Sequence, residues 1–130
     1  MKKTPLEILN FIAQVIYDKK GSNILALDVQ GISSIADYLI IAEGNVDRHV
    51  ISIAKAVIDE LRKQGEAVSR VEGLTTGDWI VIDCSGIMVH LFMPGLRNKY
   101  SLEKLWQESK IIDLVIDTSK YITSHSDEYQ

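Results

Sequence analysis

The sixteen residues GDWIVIDCSGIMVHLF, 77–92, hold a tryptophan, two aspartates, a cysteine and a histidine, side chains that can act as nucleophile, acid, base or metal ligand. A nucleophilic cysteine needs a helix N-terminus or a neighbouring cation to lower its pKa, and a hydrolase serine needs a sharp strand-to-helix turn. Neither pattern is present. Cys84 falls on an apolar alternation, and Ser85-Gly86 is followed by a second strand-like run. His49, His90 and Cys84 show no HxH, HExxH or CxxC spacing, and His125 stands in a polar tail. No metal or other cofactor is therefore expected. Glycine-rich phosphate loops are also missing from the sequence. The remaining route to catalysis runs through Asp28, Asp37 and Asp83, because carboxylates on adjacent strands can hold magnesium for phosphoryl or nucleotidyl transfer. In the competing reading, Asp28 and Asp37 bracket the 29–37 connection and cap its backbone N–H groups.

The other candidates are groups that bind. Arg48 and His49 follow Gly44-Asn45 at the start of a helix, outside its apolar stripe. There Arg48 is either a solvated cation or a contact to a carboxylate or RNA phosphate. Arg97 and Tyr100 follow the Pro94-Gly95 turn, where they either anchor that turn or add residues of hot-spot type to a surface. Trp106, at helical spacing from Leu102, is expected to pack beneath the sheet.

These residues must be placed by regular elements. Thr4, Pro5 and Glu7 read as a capped helix start, and Lys19-Lys20-Gly21 as its end. Residues 23–29 and 38–43 read as strands. Val46, Val50, Ile53, Val57 and Leu61 lie three or four apart, a helix with Asn45 as cap and Gly65 as terminator. Residues 66–72, 79–84 and 87–93 complete the strands, a short helix is expected near Ser101, and 110–117 fits either a strand or a helix. With Ser85-Gly86 as a two-residue hairpin loop, Trp79 pairs with Phe92, Val81 with His90 and Asp83 with Met88. Ile80, Ile82, Cys84, Val89, Leu91 and Met93 then form one face, a core surface. Trp79, Val81, Asp83, Met88, His90 and Phe92 form the other. That second face is either covered by the first or last helix, with His90 donating to Asp83, or partly open as a protein-binding surface.

The expected fold class is α/β: one small domain over 1–117 with a mixed sheet of about five strands and about three flanking helices, then a polar tail over 118–130. The 130 residues are 46% apolar and carry a formal charge of −4, from 14 basic and 18 acidic side chains. That balance argues against sequence-independent nucleic-acid binding and fits a partner with a positive surface. A single cysteine excludes an internal disulfide, and no run approaches the roughly 18 apolar residues of a membrane span, so an intracellular protein is expected.

Three ordered stretches, LALDVQGISSIADYLIIAEGNVDRHVISIAKAV, RVEGLTTGDWIVIDCSGIMVHLF and PGLRNKYSLEKLW, closely resemble the ribosomal silencing factor (Iojap-like) family. The resemblance runs from about residue 24 to residue 106. It implies a mixed α/β domain of nucleotidyltransferase-like topology without that catalysis. It also implies a cytoplasmic translational repressor that binds the large ribosomal subunit through ribosomal protein L14 and keeps the small subunit from joining when nutrients are scarce. The family's docking face lies around the last two central strands and the adjoining turn. The partner-binding set it implies here is Trp79, Asp83, Met88, His90, Phe92, Arg97, Tyr100 and Arg48, with adjacent ribosomal RNA as a further contact and neither membrane nor DNA as a partner. Two departures, the run Ser85-Gly86-Ile87 and Gly95, remove acidic residues that the family usually has beside that face. The rival readings are a magnesium-dependent transferase using the aspartates, and a scaffold whose exposed face closes a homodimer.

Overall fold

The structure, a computed structural model, describes residues 3–96 and 107–119. Six strands form one sheet: β1 (Ser22–Asp28), β2 (Tyr38–Glu43), β3 (Val68–Glu72), β4 (Trp79–Cys84), β5 (Ile87–Phe92) and β6 (Lys110–Ile112). Two helices, α1 (Pro5–Asp18) and α2 (Asp47–Lys63), precede β1 and β3 respectively. The strand order is β3-β4-β5-β2-β1-β6. β2 and β5 are parallel, and the other neighbouring pairs are antiparallel. The sheet is therefore mixed, as expected, with β6 as a sixth strand.

Helix α1 begins where its sequence dictates. Thr4 Oγ1 accepts the Glu7 N–H at 3.2 Å and Glu7 Oε1 accepts the Thr4 N–H at 2.9 Å, a reciprocal capping box that satisfies two otherwise unpaired donors. The Thr4 hydrogen bonds hold the Glu7 carboxyl below the usual carboxylate range. A Thr4→Ala variant is expected to lose about 1 kcal/mol of unfolding free energy, measured by urea denaturation. The helix ends with Lys20, not Gly21, in the left-handed region (φ 65°). Gly21 instead meets a steric demand, because a Cβ there would collide with the Ile16 side chain.

Helix α2 ends as its sequence specifies. Gly65 (φ 78°) donates to Arg62 O at 3.0 Å, and Glu66 donates to Leu61 O at 2.9 Å, a Schellman closure. Its start differs from expectation. The cap position is Val46, extended and without a side-chain cap, and Asn45 does not cap. At that position Val46 lies off the helical stripe and is 49% exposed. His49 Nδ1 accepts the Asn45 N–H at 2.8 Å, and His49 Nε2 lies 2.7 Å from Lys19 O, so the ring ties the start of α2 to the end of α1. His49 is thus a structural bridge.

Both helices pack on one face of the sheet. Leu9, Ile12, Ile16, Ile53, Val57 and Leu61 share a core with Ile80, Ile82, Cys84, Val89 and Leu91. Cys84 is buried there, and burial pushes its thiol pKa up, as befits an inert cysteine. The ambiguous segment 110–117 is extended: β6 lines the sheet edge, and the chain then runs along α1. Asn10 Oδ1 accepts the Val115 N–H at 2.8 Å, and Gln14 Oε1 accepts the Asp117 N–H at 2.7 Å. A four-residue helical step of about 6 Å matches a two-residue extended step of about 6.6 Å, so two side chains on one helix face can serve alternate backbone amides. The helix expected near Ser101 and most of the expected polar tail lie outside the described residues.

Candidate functional site

The β4–β5 hairpin has the expected register, from Cys84 opposite Ile87 to Trp79 opposite Phe92. Ser85 (φ 48°) and Gly86 (φ 82°) make the tight turn, with both central residues left-handed as that turn type requires. At the far end, the turn 73–78 sets the position of Trp79. Gly73 (φ 91°) and Gly77 (φ 74°) are both left-handed, and the Gly77 N–H donates to Gly73 O at 3.0 Å. A Cβ on Gly73 would overlap the Trp79 carbonyl, and one on Gly77 would lie 2.8 Å from Asp47 O. Asp78 Oδ1 accepts from the Thr76 hydroxyl at 2.7 Å and from the Trp79 N–H at 2.9 Å. The Thr76 hydroxyl is the main reason that the Asp78 carboxyl is held below its ordinary range.

Trp79, His90 and Phe92 form a stack on the second face. Ring centroids lie 5.3 Å apart for Trp79–Phe92, 5.9 Å for Trp79–His90 and 6.2 Å for His90–Phe92. The indole Nε1–H donates to His90 Nδ1 at 3.0 Å, so the neutral imidazole carries its proton on Nε2. Burial pushes the His90 pKa down to about 4; the Arg70 guanidinium adds to this and Asp83 opposes it. His90 does not donate to Asp83 as one reading expected. Asp83 instead accepts from Arg70 Nε at 2.8 Å, and Arg70 Nη1 also lies 3.5 Å from Glu72. Arg70 was not legible as a partner, because the register of β3 shifts between Val68 and Arg70. The Arg70 and Glu72 side chains are each about half exposed, at 47% and 60%, so this chain of charges contributes little stability and mainly fixes the rim.

Of the two readings of this face, covered or partly open, its β5 residues follow the first. Phe92 is fully buried, and Met88 and His90 are only 5% and 7% exposed. They share a second apolar cluster with Leu27, Val29, Leu39 and Ile41, to which neither α1 nor α2 contributes. These three side chains form the buried part of the face, while Trp79, Val81 and Asp83, half-buried, are what it presents. Arg48 is exposed but belongs to the helical layer, lining an open cleft of about 390 Å³ with Lys19 and Lys55. It does not join the sheet face. Arg97 and Tyr100 lie outside the described residues.

Asp28 and Asp83 do not converge. Asp28 Oδ1 accepts the Gln30 N–H at 3.0 Å, the capping role set against magnesium binding. Asp83 is on β4, separated from β1 by β5 and β2, roughly 14 Å away by strand spacing. Among the described residues, no three His, Cys, Asp or Glu side chains cluster to hold a metal ion. No described helix is long and apolar enough to cross a membrane.

The fold and face define a small mixed α/β domain with helices α1 and α2 on one side of the sheet and an aromatic cluster on the other. A family model described as "Ribosomal silencing factor during starvation" matches residues 2–129. The chain belongs to the ribosomal silencing factor family. It is 39% identical to a ribosomal silencing factor of Bacillus subtilis over 107 residues, 82% of this chain and 91% of that protein. A crystal structure of a Bacillus halodurans protein superposes with a TM-score of 0.73 at 33% identity, covering 83% of this chain and 98% of the other. A Chromobacterium violaceum protein gives a TM-score of 0.77 at 28% identity, covering 91% and 98%.

Proposed function

We propose that this protein represses translation in the cytoplasm by docking on the large ribosomal subunit through ribosomal protein L14, thereby excluding the small subunit. The observation that carries the reading is the part of the second sheet face that stays accessible, where half-buried Trp79, Val81 and Asp83 stand beside the buried Met88, His90 and Phe92. The mechanism involves no bond-making. Burying this face at the edge of the intersubunit surface makes the two subunits' contacts mutually exclusive, so repression scales with occupancy. Trp79 is the principal anchor. It is half-buried, held by the stack and the His90 hydrogen bond, and of the residue type that dominates interface energetics. Asp83, on the rim, and the net charge of −4 favour a basic partner, and Arg48 on the helical layer is a separate contact suited to ribosomal RNA phosphate. The domain keeps the mixed sheet of a nucleotidyltransferase-like topology without its chemistry.

The test is co-sedimentation with separated small subunits, large subunits and assembled ribosomes at two salt concentrations. Wild type is expected only with free large subunits. A Trp79→Ala variant shown to be folded by circular dichroism is expected to bind on the order of 10–100-fold more weakly. Equal binding to both subunits, or to none, refutes the reading.

A further inference from the structure

Residues 29–37 join β1 to β2 beside the Ser85-Gly86 turn, and their backbone is tied at successive positions. Val29 O accepts from Ile32 at 3.0 Å and from Ser33 at 2.9 Å, the Val29 N–H donates to Asp37 O at 2.9 Å, and the Asp37 N–H donates to Gly86 O at 2.8 Å. Ser33 Oγ accepts from Ile35 at 3.2 Å and from Ala36 at 3.3 Å. Val29 and Ala36 are buried in the second apolar cluster, which pins both ends. On this fixed turn Ile35 is 74% exposed and Ile32 38%. An apolar side chain held out on a loop already ordered by its own hydrogen bonds docks without the usual ordering cost.

The charge placed beside it is mainly acidic. Asp28 and Asp37 flank the turn, the Asp37 carboxylate beside Gly86, and residues 29–36 between them contain no Lys, Arg or His. Lys110 stands opposite Asp28 across the ladder and offsets one of these carboxylates. Such a surface repels phosphate and attracts a basic protein.

We infer that Ile35, with Ile32 beside it, is a preorganised anchor for a protein partner offering an apolar pocket with a basic rim. This rests on the ribosomal reading and adds a second contact point to it. The turn adjoins the Cys84–Ile87 end of the hairpin whose other end carries Trp79, about 17 Å away along β4. Both anchors fit within one interface of ordinary size, about 800 Å² per partner.

The experiment measures the affinity of wild type, Ile35→Ser, Ile35→Met and Val115→Ser for purified large subunits. Val115 is 75% exposed elsewhere on the chain and controls for the loss of any exposed apolar side chain. Ile35→Ser is expected to keep the wild-type melting temperature and to bind at least about tenfold more weakly, with Ile35→Met and Val115→Ser within about threefold of wild type. Binding by Ile35→Ser within about twofold of wild type, or an equal loss in Val115→Ser, overturns the anchor alone. Failure of wild type to bind any ribosomal particle overturns the ribosomal reading and this partner with it.

Discussion

Replacing Phe92 with alanine is expected to lower the unfolding free energy by about 3–5 kcal/mol and the melting temperature by on the order of 10–20 °C. Phe92 is fully buried, stacks on Trp79 and packs in the second apolar cluster. Truncation removes the transfer free energy of a whole ring, and it leaves a cavity under Trp79 that the paired strands cannot collapse to fill. For a domain whose total stability is about 5–15 kcal/mol, that is a large fraction. Ile111→Ala, at a side chain 67% exposed on β6, is the control and is expected to change stability by less than about 0.5 kcal/mol. Thermal melts and urea titrations of the two variants decide the matter. A Phe92→Ala protein as stable as wild type would show that the ring is not core. The same result bears on partner binding: weakened docking by Phe92→Ala must be separated from simple loss of fold.

The second large effect is on the pH dependence of stability. His90 has a pKa of about 4 in the folded chain against an ordinary 6.5. Between these values the unfolded chain binds the proton and the folded chain does not, so stability falls as pH drops from about 6.5 and the fall levels off below about 4. The full contribution is present above about 6.5 and amounts to about 3 kcal/mol. Geometry agrees in sign, because protonating Nδ1 would set a donor against the indole N–H it now accepts. A His90→Gln variant keeps an acceptor for Trp79 but cannot titrate. Its unfolding free energy should lose about 3 kcal/mol less than that of wild type between pH 7 and pH 4. Glu7 and Asp78, whose carboxyls are lowered, lose their contributions at more acid pH and do so equally in both proteins. Parallel pH curves for the two proteins would rule out His90 as the source.

Much of the hairpin was legible because period-2 alternation and a Ser-Gly turn fix each other: once the turn is placed, a one-residue slip would put Ile80, Ile82 and Val89 in water. The family resemblance was legible for a different reason. Glycines at 73 and 77 and the aspartate at 78 are demanded by backbone conformation and by the cap on Trp79, and such demands leave ordered motifs. The start of α2 was less legible. Val46 continues the helical period in sequence but sits in extended backbone, and Asn45 is the usual cap residue yet has its own N–H claimed by His49. Periodicity does not see a contact from His49 to Lys19 across thirty positions.

By itself the sequence determined the identity and order of α1, α2 and β1 to β5, the two faces of the hairpin, the caps at Thr4 and Gly65 and the family, because these depend on local backbone preference and on which side chains avoid water. The tertiary structure decided what occupies each face. It placed α1 and α2 on one side, closed Met88, His90 and Phe92 away from solvent, paired Asp83 with Arg70 across a register shift, and left Ile35 standing on a fixed turn. Burial and pairing of this kind arise between elements distant in the chain, and neither periodicity nor composition encodes which of two apolar faces a helix will cover.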